Sequence, residues 1–316
     1  MTDEKTARRP LLVTRIAEAR EWVAQERRAG RRLGLVPTMG ALHAGHGSLA
    51  ERACAECDRV VATVFVNPTQ FGPHEDFQRY PRTLAADLDL LGRIGVDMVF
   101  APEANEMYRG SAAQSASSVS AAAASTGSVA TAAAVTGPAA TTVLPSRVAA
   151  TLEGECRPGH FVGVATVVMK LFQIVSADIA YFGAKDYQQT LVLRRMVEDL
   201  NVPVQIVICP TVREPDGLAM SSRNRYLSPE ERVRALSLSR GLAAAERAFV
   251  AGERSAAVLE RIARAELEAA GAGPIDYVAL ADPETLDRPE RAGDRAVLLI
   301  AARVGGTRLI DNRMLE

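Results

Sequence analysis

The sequence lacks an excess of charge of either sign: 37 lysines and arginines stand against 38 aspartates and glutamates, a formal net charge of −1. A protein built to grip nucleic-acid backbone carries a clear basic surplus, so that class is disfavoured. The chain also lacks any stretch of about 20 strongly apolar residues, the length that a membrane-spanning helix requires. Its opening, MTDEKTARRPLLVTRIAEARE, carries acids early and no sustained apolar core, unlike a secretory signal. Cysteine is scarce: Cys54, Cys57, Cys156 and Cys209 are the four, an ordinary number for a reduced cytosolic chain. These absences predict a cytoplasmic globular protein.

What is present suits two packed domains. The 316 residues exceed one minimal domain, and 48% are hydrophobic, enough for a sizeable core. The segment Arg32–Val36 turns apolar and breaks at Pro37, Gly45–Cys57 reads as a helix, and Val60–Val66 (VVATVFV) is an almost continuous β-branched run. Such a run belongs in a parallel sheet covered on both faces. The alternation continues through a helix at Leu84–Ile94, a strand at Met98–Phe100, a helix at Ala165–Val175, a strand at Ile179–Phe182, a helix at Gln188–Leu200 and a strand at Val204–Cys209. The expectation is an α/β, Rossmann-like doubly wound parallel sheet over 1–211, with ligands at the carboxyl ends of its strands.

Past Pro210 the pattern changes. Ser228-Pro229-Glu230-Glu231 carries a helix N-cap and a capping box. Helices follow at Glu230–Val250 and Ser255–Ala270, then strands at Asp276–Ala281, Arg295–Arg303 and Thr307–Asp311, with Gly305-Gly306 as a hairpin signal. Residues 212–316 are expected to form a smaller α+β domain that closes as a lid.

Three stretches carry chemistry. In Pro37-Thr38-Met39-Gly40-Ala41-Leu42-His43-Ala44-Gly45-His46, two histidines three apart open a helix after a strand and a glycine-bearing turn. A helix N-terminus offers free N–H groups to phosphate, and imidazoles there can hydrogen-bond developing negative charge. A bare HxxH is more often a cap and a core contact; the strand–turn–helix context favours function. Gly183-Ala184-Lys185-Asp186 follows a strand, where a lysine reaches polyphosphate as a point charge, although such a pair alone is usually a solvated salt bridge. Met220-Ser221-Ser222-Arg223 is a small-hydroxyl loop ending in a cation, able to clamp phosphates. Cys54-Ala55-Glu56-Cys57 has half a zinc spacing, but no second pair follows at ribbon or finger distance, so it reads as helix packing.

Together these stretches resemble the nucleotidyl-transferase superfamily with HIGH-like and KMSKS-like signatures. PTMGALHAGH, FVNPTQF, YPRT, RPGHFVGV, YFGAKDYQQ and TVREPDGLAMSSRN, in this order, resemble the pantothenate synthetase (pantoate–β-alanine ligase) family across nearly the whole chain. The resemblance implies condensation of pantoate with β-alanine through a pantoyl-adenylate, with ATP as substrate, Mg2+ as its metal, and a homodimer as the assembly. It implies ATP contacts from Met39, Gly40, Ala41, Leu42, His43, Ala44, Gly45 and His46, from Gly183, Ala184, Lys185 and Asp186, and from Val212, Met220, Ser221, Ser222 and Arg223. His46 takes the family's proton-donor position, with His43 and Lys185 beside it on the phosphates. Gln70 is implied for pantoate and then β-alanine, Gln189 for pantoate, and Asn67, Arg157 and His160 near the acid or its product. Asp87 is implied as the magnesium ligand. Ala44 and Ala184 stand where the family commonly has bulkier polar residues. A transferase acting on a phosphate acceptor, or a non-catalytic ATP-binding regulator, would share the histidine scaffold but leave the two glutamines unexplained.

Between Ser111 and Thr142, 25 of 32 residues are Ala, Ser or Thr and none is charged. With no apolar stripe and few large side chains, the segment is expected to be a flexible surface insertion. Loop-closure cost grows slowly with length, so such an insertion need not disturb the fold. Deleting 111–142 should therefore change kcat/KM by less than about tenfold, roughly 1.4 kcal/mol in barrier. Loss of adenylate formation in a deletion variant that still melts normally would make the segment a functional lid instead.

Overall fold

The computed structural model describes residues 9–108, 141–145 and 147–316; apart from Thr141 and Thr142, the Ala/Ser/Thr-rich segment lies outside them. The first unit runs β1 (Leu11–Val13), α1 (Ile16–Arg28), β2 (Leu33–Val36), α2 (Ala44–Glu56), β3 (Arg59–Thr63), α3 (Leu84–Ile94) and β4 (Met98–Phe100). After the one-turn helices α4 (Ala104–Met107) and α5 (Glu153–Cys156) come α6 (His160–Val175), β5 (Ile179–Gly183), α7 (Tyr187–Asp199) and β6 (Gln205–Cys209). The six strands pair in parallel in the order β1-β4-β3-β2-β5-β6.

Alternate strand residues feed opposite faces, as the pleat requires. Leu33, Leu35, Ala180 and Phe182 pack with apolar residues of α1, α6 and α7. Val36, Val60, Ala62, Ile179 and Tyr181 pack against α2 and α3. Helices on both faces explain why β2 is buried throughout and why its sequence shows no polar alternation.

Two boundaries differ from expectation for local reasons. β3 stops at Thr63 rather than Val66, because the chain bends into a 3₁₀ turn, Pro68–Gln70, that Asn67 caps. α6 starts at His160, five residues before the expected Ala165, after Gly159 takes a left-handed φ of 84°.

The second unit comprises α8 (Pro229–Val250), α9 (Ala256–Ala269) and the antiparallel sheet β7 (Ile275–Ala281), β8 (Ala296–Val304) and β9 (Thr307–Leu315). The Ser228–Glu231 capping box forms, and Val304 pairs with Thr307 across the Gly305-Gly306 turn. One sheet face covers α8 and α9. The other, through Tyr277, Ala279, Val297 and Leu299, packs on Leu152 and Leu191 of the first unit.

The joint between the units centres on a buried carboxylate. Glu153 receives Arg308 through both guanidinium nitrogens, at 2.8 and 2.6 Å, and the Tyr277 hydroxyl at 2.7 Å. Burial alone would raise this carboxyl, but the Arg308 fork outweighs it and holds the group down at about 2, from 4.5. A depressed folded-state pKa contributes stability present above the unfolded value and lost as pH falls through the folded one. Removing the charge with Glu153→Gln should destabilise the protein by about 3 kcal/mol at neutral pH. Melting curves of the two proteins should converge between about pH 4.5 and pH 2; a constant gap across that window would contradict the assignment.

Candidate active site

The strand order places a topological switch point at β2 and β5. From β2 the chain proceeds to β3 on one side, while β5 and then β6 lie on the other. The crevice over the carboxyl ends of such a pair is where open α/β sheets bind ligands. From β2 it receives Pro37–His46, and from β5 it receives Gly183–Asp186.

The turn after β2 is tightly specified. Gly40 and Ala41 both have positive φ, 81° and 52°, and a Cβ on Gly40 would stand 2.9 Å from Val64 Cγ1. This conformation aims the amides of Ala41 and Leu42 at Asp87, whose two carboxylate oxygens accept them at 3.0 and 2.9 Å. Thr83 Oγ1 adds a third bond at 3.2 Å. Asp87, the implied magnesium ligand, is only 2% exposed. Three of its acceptor sites fix the turn, an anion held in a backbone nest. Among the described residues no group of three or more His, Cys, Asp and Glu could hold a metal ion.

Beyond the turn, His43 is the N-cap of α2. Its Nδ1 accepts from the Gly45 amide at 3.1 Å, and His46 Nδ1 faces the His43 amide at 3.4 Å. The cap and the site are thus the same pair of residues, with ring centroids 4.1 Å apart. Burial, then Lys185, lowers His43 to about 4; burial, then His43 and Lys185, lowers His46 to about 3. Both rings are neutral at pH 7, and with Nδ1 accepting, Nε2–H is left as the donor.

Lys185 lies across the crevice, its Nζ 3.7 Å from Asp186. The second unit sets its height: Asn312 of β9 donates to the carbonyls of Ala184 and Lys185 at 3.0 and 2.7 Å. The Ser-Ser-Arg loop closes the third side. Met220 N bonds Val212 O at 3.0 Å, Ser221 Oγ caps the following turn, and Ser222 Oγ donates to Ala41 O at 3.1 Å. Arg223 forks onto Asp76 at 2.8 and 2.7 Å and lies over the Tyr80 ring.

These elements enclose an inner chamber of about 210 Å3, lined by Met39, His43, His46, Lys185, Ser221 and Arg223 together with Gln70 and Gln189. It opens beside a cleft of about 1180 Å3 between the two units. Part of the chamber wall is apolar, formed by Phe65, Val164, Val167 and Leu171. Gln70 Nε2 donates to the Met39 sulfur at 2.9 Å, a weak acceptor that a substrate oxygen would readily displace.

Three residues expected near the acid also brace the fold. Asn67, 1% exposed, commits both amide hydrogens to Gln70 Oε1 and Gly163 O, while its oxygen accepts from Tyr108 and Thr69. Arg157 forks onto Glu75 at 2.7 and 2.6 Å, and His160 Nδ1 lies 2.8 Å from the Gln70 carbonyl oxygen. Asn67 lines the inner chamber, whereas Arg157 and His160 line the larger cleft beside it. Asp76, Tyr80 and Asn312 escaped the sequence reading; of these only Tyr80 sits in a recognisable block, YPRT.

The family model for pantoate–β-alanine ligase matches residues 11–314. Pantothenate synthetase 1 of Bradyrhizobium diazoefficiens is 50% identical over 308 residues, covering 96% of this chain and 98% of that protein. The pantothenate synthetase of Moorella thermoacetica is 50% identical over 305 residues, with coverage of 96% and 98%. Among solved structures, pantothenate synthetase from Thermus thermophilus superposes with a TM-score of 0.83 at 45% identity, covering 96% of this chain and 98% of that one. The pantoate–β-alanine ligase of Francisella tularensis, complexed with β-γ ATP and β-alanine, gives 0.74 at 30% identity, with 96% and 97% covered. With a matching fold and a close match over nearly its whole length, the chain belongs to the pantoate–β-alanine ligase family.

Proposed function

We propose that the protein joins pantoate to β-alanine with consumption of ATP, by way of a pantoyl-adenylate, releasing AMP and pyrophosphate. The observation that carries this reading is one chamber lined both by His43, His46 and Lys185 and by Gln70 and Gln189. A phosphate-facing set and an acid-facing set at one point suit attack of a carboxylate on the α-phosphorus. The relative from Francisella tularensis, solved with a nucleotide and β-alanine, supports the same substrates here.

In the first step a pantoate carboxylate oxygen bonds to the α-phosphorus and the bond to the β-phosphate oxygen breaks. No proton need move. Charge grows on the departing pyrophosphate and the equatorial oxygens, where Lys185 supplies a fixed positive charge and the neutral histidines supply Nε2–H donors. The proton-donor position at His46 is thus read as hydrogen-bond donation. The other implied ATP contacts, from Met39–His46, Gly183–Asp186, Val212 and Met220–Arg223, flank these groups. The two glutamines act by placing the acid, and Gln70 later the amine. In the second step the free amine of β-alanine attacks the acyl carbon, the C–O bond to AMP breaks, and the amine's surplus proton leaves to solvent. The unit spanning 212–316 would shield the adenylate from water. ATP is expected as its magnesium complex, with phosphate oxygens and water supplying most of the metal's ligands and Asp87 as the candidate protein ligand. The family resemblance extends the reading to a cytoplasmic homodimer.

Exchange of labelled pyrophosphate into ATP should require added pantoate. Exchange driven equally well by a nucleoside monophosphate or phosphopantetheine would overturn the assignment in favour of a phosphate-acceptor transferase.

Alanine at His46 or at Lys185 should lower kcat about a hundredfold or more. Near-normal turnover in both variants, with unchanged melting, would return His46 to capping and Lys185 to its salt bridge.

A further inference from the structure

Gln70 occupies a three-residue 3₁₀ turn, an element too short to define its own orientation. Its surroundings define it instead. The backbone of the turn lies flush on α6, since a Cβ on Gly163 would stand 2.3 Å from Thr69 O and 2.7 Å from Gln70 N. Asn67 holds the side-chain oxygen at 3.1 Å. The remaining handle is the Gln70 carbonyl, which can only accept a hydrogen bond.

That carbonyl meets His160 Nδ1 at 2.8 Å, and His160 Nε2 lies 3.0 Å from Arg157 Nη1. A guanidinium can only donate, so Nε2 accepts and Nδ1 carries the proton, which fixes one neutral tautomer. Burial, then Arg157, lowers this imidazole to about 4, so the tautomer persists across the neutral range. Arg157 is itself aligned by the Glu75 fork and reaches the same carbonyl at 3.4 Å. Both residues line the larger cleft but not the inner chamber, so their effect on an acid held in the chamber would pass through Gln70.

Resting on the reading of Gln70 as an acid-binding residue, we propose that Arg157 and His160 are positioning residues forming a relay. Arg157 orients the imidazole, the imidazole anchors the Gln70 carbonyl, and the anchored turn presents the Gln70 amide to the hydroxy acid. Arg157 also lies 3.6 Å from Glu153 at the joint, so a merely structural role would show as lower melting without a selective change in acid binding.

The test is pyrophosphate exchange with pantoate and ATP varied separately. His160→Ala should raise the KM for pantoate about tenfold while the KM for ATP stays within about twofold. His160→Asn, whose Nδ2 takes the place of the ring Nδ1, should recover most of the loss. In a Gln70→Ala background, His160→Ala should add less than about twofold, because both act on one contact. If Gln70→Ala raises the pantoate KM but His160→Ala does not, the relay is overturned and the role of Gln70 stands. If Gln70→Ala itself leaves that KM unchanged, the reading of Gln70 falls and the relay with it. Equal rises in both KM values for His160→Ala would also overturn the relay. Should His160→Ala fail to fold, Arg157→Lys keeps the charge beside Glu75 but loses the fork. A pantoate KM raised about threefold or more supports the relay; an unchanged one sinks it.

Discussion

The site depends first on the Asp87 carboxylate. A left-handed pair, Gly40-Ala41, is a costly way to leave a strand, and the alanine adopts a φ that its Cβ disfavours. Two amide-to-carboxylate bonds to one buried anion offset that cost and make the turn rigid. The histidine-bearing N-terminus of α2 begins two residues later, so its place over the switch point follows from the bond geometry at Asp87. Ser222 then docks on the Ala41 carbonyl, and the Ser-Ser-Arg loop inherits the same reference. The carboxylate implied as a metal ligand thus also sets the coordinates of the histidine pair and the Ser-Ser-Arg loop.

The second unit supports the site through its backbone as much as through its charges. Asn312 grips two successive carbonyls at the tip of β5, which fixes the height of Lys185 without engaging the lysine's own charge. The adjacent Asp311 takes the Arg213 fork at 2.7 and 2.9 Å, tying the strand that bears Asn312 to the segment leaving β6. Such divided labour leaves the lysine available. Among the described residues Lys185 pairs with Asp186 alone, at a distance where the pairing is weak and a phosphate would displace it.

How much of this was legible in the sequence follows from how far each determinant lies along the chain. α3 and β4 fall where apolar periodicity puts them, and the Ser228–Glu231 box and the diglycine hairpin are local signals that fold as read. β1 has three residues, one of them buried, and α1 is polar over most of its length, so neither stands out from a loop. β9 runs four residues past the expected Asp311, because Asn312 and Arg313 break the apolar pattern while keeping the ladder. Gly72–Tyr80 carries no periodicity at all. Its shape comes from Glu75 and Asp76 gripping Arg157 and Arg223, 82 and 147 positions away, partners that a window along one chain does not connect.

The same argument explains why functional types were easier to name than their tasks. A histidine pair, a lysine and two glutamines announce chemistry by residue type and context, and they converge on one chamber. Asn67, Asp87, Arg157 and His160 are of equally functional types, yet each satisfies another group of the fold. Hydrogen bonding distinguishes them: Asn67 and Asp87 are held by several backbone and side-chain bonds, whereas the Gln189 side chain makes no hydrogen bond among the described residues and Gln70 parks a donor on sulfur. Leaving a polar group unsatisfied in a half-buried chamber costs free energy, which a ligand can return on binding. On the proposed function, the residues still able to accept or donate are the ones offered to substrate, and the heavily bonded ones hold them in place.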